Sequence, residues 1–263
     1  MRLDNFLTKA LNISRSDASI IIKKQHVYVN GQQVLKKDFH INENKDIIKV
    51  NDQLIDYKEF IYIMLNKPQG VVCAVRDKKD KTVIDILDQN IMHIKEIFPI
   101  GRLDKDTEGL LILTNDGQLS HKIANPNHEV YKEYYVKTLS KLSANDCELF
   151  CNGLEILDGN DKLFVTKKAK MKILSDNECI VSICEGKFHQ IKRMFEKLNN
   201  KVIYLKRVAY GNIKLDDRLK LGEYRCLTLE ELVELKNERW KSFFLKKWKM
   251  KIFLFLLTFF PQY

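Results

Sequence analysis

The six cysteines form no C-x-x-C pair, no Walker-type phosphate loop is present, and no apolar run approaches the ~20 residues that a bilayer-spanning helix needs. The first absence argues against a disulfide framework or a zinc site. Cys73, Cys147, Cys151, Cys179, Cys184 and Cys226 are therefore expected to be buried free thiols in a reducing cytosol. The second absence removes chemistry driven by nucleotide triphosphates. The third excludes a membrane anchor, because the apolar run from Ile252 to Phe260 is only nine residues long. No secretory signal opens the chain and no repeat recurs at a fixed period, so a cytoplasmic globular protein is expected.

What is present is apolar material, 45% of 263 residues, enough to bury one medium domain beside a small one. Basic residues outnumber acidic ones by 45 to 35, a surplus that favours a polyanionic partner. Most of that surplus sits at one end. From Lys236 to Tyr263 there are seven basic residues and one acidic, so this stretch carries +6 of the net +10. The segment 241–263, rich in Trp, Phe and Lys, reads as a separate basic and aromatic tail, either an interfacial helix or a disordered, accidental extension.

Leu3, Phe6, Leu7, Ala10 and Leu11 recur at helical spacing and predict a first helix over Arg2 to Leu11. A second follows, capped by Ser14 with Asp17 in its first turn, and ends near Lys23 and Lys24. The alternating stretch His26 to Val34 turns at Asn30-Gly31, a pair suited to positive φ, and predicts a β-hairpin. These elements make a small unit over 1–58. Beyond it, strands are expected at Phe60 to Leu65, Val71 to Val75, Leu110 to Thr114, Lys132 to Leu139, Val165 to Ile173 and Cys179 to Cys184. Helices are expected at 82–88, 117–124, 143–152, 189–198 and 228–236. Strands dominate with helices scattered among them, which predicts an α+β domain over 59–240 with a largely antiparallel sheet.

Two stretches stand out for their charge. In the small unit, Arg15, Lys23, Lys24, Lys36 and Lys37 fall along one edge of the second helix and the hairpin, as a phosphate-binding strip or as solvated charge. Gly101-Arg-Leu-Asp-Lys-Asp-Thr-Glu-Gly109 is a polar loop that feeds the apolar run Leu110 to Leu113, which places Asp104 at a strand mouth. A charged turn of no function would read the same way, with Arg102 paired to Asp106 or Glu108. Arg193 and Arg207 are candidate phosphate contacts, or ordinary surface charge. His189 reads as a structural hydrogen-bonding residue.

The first stretch, MRLDNFLTKALNISRSDASIIIKKQHVYVNGQQV, resembles the S4 RNA-binding module. The second, GRLDKDTEGLLILTNDG, is similar to the catalytic loop of the RsuA/RluB/RluE/RluF branch of ribosomal RNA pseudouridine synthases. Met64-Leu-Asn-Lys-Pro-Gln-Gly70, Tyr131-Lys-Glu-Tyr-Tyr-Val-Lys137 and Glu185-Gly-Lys-Phe-His-Gln-Ile-Lys-Arg-Met-Phe195 match further motifs of that branch in the same order. The resemblance implies Asp104 as the catalytic carboxylate, Tyr134 as the active-site tyrosine and Lys192 as the cation facing the aspartate. Under it, Arg102 becomes a helper that stacks in or holds a phosphate at the place an everted nucleotide leaves. It also implies isomerisation of uridine to pseudouridine without cofactor or metal, by a monomer that has no stable membrane association. The overall likeness is greatest to the enzymes of small-subunit 16S rRNA, although large-subunit 23S enzymes share the signatures. A catalytically silent assembly factor is disfavoured by the intact Asp104, Tyr134 and Lys192 set.

Overall fold

A computed structural model describes residues 1–237, apart from 25, 44, 56, 58, 59, 89–95, 126, 127 and 161. The tail 241–263 lies outside the described residues. The chain divides into two units, Met1–Phe60 and Ile61 onward.

In the first unit the apolar spacing gives α1 (Leu3–Leu11), which buries Leu3, Phe6 and Leu7. Asn12 ends it in the left-handed region at φ 54°. Asp17 N–H donates to Ser14 Oγ at 3.1 Å and starts α2 (Arg15–Lys24). Asn30 and Gly31 adopt φ 52° and 82°, the double positive turn that lets β1 (Val27–Val29) fold back on β2 (Gln32–Gln33). With β3 (Ile48–Val50) and β4 (Gln53–Leu54) they form a sheet of order β2-β1-β3-β4 over a core of Phe6, Ile22, Val27 and Ile48.

The second unit is built on a nine-stranded sheet. Its strands are β5 (Tyr62–Lys67), β6 (Phe98–Ile100), β7 (Glu108–Thr114), β8 (Lys132–Thr138), β11 (Lys170–Ser175), β12 (Glu178–Ile183), β13 (Val202–Tyr210), β14 (Ile213–Lys214) and β15 (Tyr224–Cys226). The main order is β11-β12-β8-β13-β7-β5-β15, with β14 on β13 and β6 on β7. Among the described strands, β13 and β7 alone pair in parallel, so the domain is α+β with a largely antiparallel sheet. β7 is apolar without alternation because both its faces are covered. Leu111 and Leu113 enter one core with Ile63, Val136 and Phe195, while Leu110 and Ile112 enter the other with Met64 and Tyr210. A separate hairpin joins β9 (Glu155–Leu157) to β10 (Leu163–Val165).

The helices of this unit are α3 (Gly117–Ala124), α4 (Ala144–Asn152), α5 (Gln190–Lys197) and α6 (Leu229–Lys236), entered respectively from Asp116, Ser143, His189 and Thr228. No helix among the described residues is long and apolar enough to cross a membrane. Cys73, Cys179 and Cys184 are buried, but Cys151 and Cys226 are exposed, contrary to expectation.

Three expected elements are corrected. Val71 to Val75 is an irregular loop, since Val72 makes only an isolated bridge to Thr82. The stretch 82–88 is not helical: Asp85 accepts from both the backbone N–H and the hydroxyl of Thr82, at 2.8 and 2.9 Å, and closes a local turn. Val165 to Ile173 is split between two strands, because Thr166 and Ala169 give their N–H groups to Leu154 and Phe150 and divert the chain from one hairpin to another sheet.

Candidate active site

The loop between β6 and β7 is fixed from beneath. Gly101 turns it at φ 71°, Leu103 is buried with its N–H on Cys73 Sγ at 3.3 Å, and Thr107 N–H closes a turn onto the Asp104 carbonyl at 3.1 Å. Lys67, at the end of β5, is fully buried and donates to the carbonyls of Pro68, Asp104 and Thr107 at 3.0, 3.1 and 2.9 Å. Burial pushes its ammonium pKa down, against the opposing pull of nearby groups that include Asp104, Asp106 and Glu108. One side chain thus ties the backbone at Asp104 and just after it to the end of β5. Lys67 stands inside the motif Met64 to Gly70, yet a lysine at a strand end reads as surface charge, and sequence reasoning assigns it no role. Lys67→Met is expected to remove these bonds, leaving the Asp104 carbonyl with the Thr107 N–H alone, at a cost of about 2–3 kcal/mol. Loosening the loop should also reduce turnover by about 10²-fold. Thermal melts and single-turnover kinetics on the purified protein check both effects.

The facing wall is α5. Its entry is organised by Gln190, 3% exposed, which donates to Glu185 Oε1 at 2.7 Å and accepts from Lys187 N–H at 3.0 Å. His189 takes the left-handed conformation, φ 51°, without a side-chain cap bond. This geometry projects Lys192 toward the loop. Its Nζ lies 3.2 Å from Asp104 Oδ2 and closer to Asp106, at 2.7 and 2.9 Å from the two carboxylate oxygens. Burial works against the Lys192 charge, but the hydrogen bond to Asp106 and the charges of both aspartates outweigh it and raise its pKa. His189 Nε2 stands 3.7 Å from Asp104 Oδ1, too far for a good hydrogen bond.

Tyr134, in the middle of β8, pairs in register with Val181 and Arg207 and is buried. It lines one cavity with Arg102, Asp104, Thr107, His189 and Lys192, over an apolar floor that includes Ile183 and Leu205. The three residues assigned to chemistry therefore meet at one pocket. Arg102 is exposed at its rim, and its two candidate partners are engaged elsewhere: Asp106 pairs with Lys192 and Glu108 accepts from Tyr204 at 2.6 Å.

Arg207 requires a correction. It is 1% exposed, its Nε donates to the Leu110 carbonyl at 2.7 Å, and its guanidinium lies 5.1 Å from the Tyr210 ring centroid. It braces the interior between β13 and β7 and is no surface phosphate contact. Arg193 is half-buried and gives Nη1 to the Leu157 carbonyl at 2.6 Å, so part of its fork is already engaged. In the first unit Arg15, Lys23 and Lys24 are exposed along α2.

An N-terminal unit that matches the S4 domain over residues 1–47, followed by a mixed-sheet domain with a carboxylate pocket, is the layout of an RNA-modifying enzyme. The RNA pseudouridylate synthase family profile matches residues 61–197. The chain is 41% identical over 242 residues to RNA pseudouridine synthase YtzG of Bacillus subtilis, described as uncharacterized, spanning 90% of this chain and 99% of that protein. It is 39% identical over 235 residues to ribosomal small subunit pseudouridine synthase A of Vibrio cholerae, spanning 89% and 99%. Identity to the protein of that name in Escherichia coli K12 is 37% over 235 residues, spanning 89% and 100%. A solved crystal structure of a pseudouridylate synthase is 38% identical and aligns with a TM-score of 0.62 over 89% of this chain and 99% of that one. The chain belongs to the RNA pseudouridylate synthase family and carries an S4 domain at its N-terminus.

Proposed function

We propose that this protein converts one uridine of small-subunit 16S ribosomal RNA to pseudouridine, with Asp104 as the reacting carboxylate. The observation that carries the reading is the 3.2 Å approach of Lys192 to Asp104 inside a pocket that Tyr134 also lines. The reaction breaks the bond from the sugar carbon to N1 of uracil, turns the base, and joins the same sugar carbon to C5; the C5 proton leaves and N1 gains one. No electrons are gained or lost overall. A carboxylate serves this sequence when ionised, as nucleophile or as base, and Lys192 sets a cation 3.2 Å from it. Tyr134 offers a ring face and a hydroxyl to the uracil. The target base must leave its stack, at a cost of a few kcal/mol, and Arg102 at the pocket rim is placed to hold the vacated position or a phosphate.

The relatives named as acting on the small ribosomal subunit favour 16S rRNA. Mapping pseudouridine by chemical adduct and primer extension, in rRNA from cells with and without the gene, tests this. One 16S site is expected to disappear. Loss confined to 23S rRNA would reassign the substrate, and unchanged maps would make the protein a silent assembly factor.

The S4 strip has its own test. Replacing Lys23 and Lys24 by alanine is expected to weaken RNA binding and to flatten the plot of log K against log salt by about 0.7 to 0.9 for each phosphate the protein no longer neutralises. Filter-binding titrations across a salt series read the slope, and an unchanged slope removes α2 from the RNA interface.

A further inference from the structure

We propose that Phe188, stacked on His189 at the rim of the Asp104 pocket, is a platform on which an unpaired base beside the target nucleotide stacks. This deepens the pseudouridylation reading and rests on it. Phe188 is 57% exposed, although the core of this domain takes in most of its large apolar side chains. Its ring lies 3.8 Å from the His189 ring at an interplanar angle of 19°, a stacked pair. His189 in turn lines the pocket and stands 3.7 Å from Asp104. Phe188 itself lines no part of the cavity wall, so a base resting on it lies beside the carboxylate and not over it.

The seat is built from several elements. His189 holds a positive φ of 51°, unusual for a non-glycine residue, and its ring covers Phe188. The β9–β10 connection passes so near that a Cβ at Gly159 would lie 3.2 to 3.4 Å from the Phe188 side chain, and glycine leaves that space open. Arg193 places its guanidinium carbon 5.4 Å from the Phe188 centroid and is anchored by Nη1 on the Leu157 carbonyl. The cation lies over the ring, within cation–π range, and adds positive charge to the part of Phe188 that stays exposed. An aromatic ring with a fixed cation against it is the chemistry that holds single-stranded nucleic acid, and it tolerates any base. The platform therefore contributes to affinity for the everted strand and leaves the choice of uridine to other contacts.

The test compares wild type with Phe188→Ala, Phe188→Leu and Phe188→Trp, each also built on Asp104→Asn to remove turnover. 16S rRNA hairpins carry 2-aminopurine on one or the other side of loop uridines. With wild type and Phe188→Trp, the probe is expected to be quenched on one side of the target. Phe188→Ala and Phe188→Leu should lose that quenching and raise KM about 10- to 100-fold with kcat within about 3-fold. The leucine variant separates stacking from mere apolar bulk, and the exposure of Phe188 keeps all three variants folded. Quenching and KM that survive in Phe188→Leu would overturn the platform. A wild-type protein that quenches the probe yet modifies no uridine would instead sink the pseudouridylation reading and leave the platform standing.

Discussion

Asp104→Asn is expected to lower the single-turnover rate of pseudouridine formation by on the order of 10⁴-fold or more, with RNA affinity and melting temperature almost unchanged. Asparagine keeps the shape of the side chain and removes its charge, so the capacity to attack or to accept a proton disappears. Stability should survive because Lys192 does not become a stranded cation: its shorter contacts, 2.7 and 2.9 Å, are to Asp106. The same geometry predicts the opposite pattern for Asp106→Asn. Asp106 is two-thirds exposed and no part of the pocket wall, so its removal frees Lys192 for Asp104 alone and should change the rate by less than about 10-fold. Quench assays on the three proteins with one RNA fragment distinguish the carboxylates. Full activity in Asp104→Asn together with a dead Asp106→Asn would move the chemistry two residues along the loop.

The loop itself is legible in the sequence because its signals are local. Glycine at a positive φ, a polar cluster and an uninterrupted apolar strand stand next to one another in the chain, and the structure places Asp104 between β6 and β7 as that order requires. The approach of Lys192 is legible only through motif likeness, since 88 residues separate it from Asp104 and no periodicity links the two. β13 does not read as a strand for a physical reason: Leu205, Arg207 and Ala209 alternate in burial but not in polarity, because one of the three inward positions is an arginine. Arg207 looks like surface charge for the same reason, because a strand in the middle of the sheet buries what a loop would expose. Lys67 is hidden by residue type. Three carbonyls around one loop make a cationic seat in the interior, and carbonyls leave no trace in sequence.

Gly109→Ala is the expected substitution of largest structural effect, and its reason lies in the parallel pairing of β7 with β13. Gly109 sits opposite Arg207 where the two strands run side by side, with φ 101°. A Cβ there would strike the Arg207 carbonyl oxygen, lie 2.8 Å from its backbone nitrogen and 2.9 Å from the Lys206 side chain. Backbone atoms of a central strand cannot swing away, so either the two strands separate or the loop carrying Asp104 is dragged out of place. Backbone strain of about 1–3 kcal/mol and overpacking of a similar 1–3 kcal/mol give a destabilisation of about 2–6 kcal/mol. For a domain of this size that corresponds to a fall in melting temperature of about 4–24 °C. Gly101→Ala is the control, since Gly101 also has positive φ, 71°, but a Cβ there meets nothing within 4 Å. It should show only the backbone cost, about 1–2 kcal/mol. Calorimetric melts of the two variants separate the causes: equal destabilisation would mean that conformation alone explains Gly109, and that the close passage of β13 behind the Asp104 loop is not what fixes the loop in position.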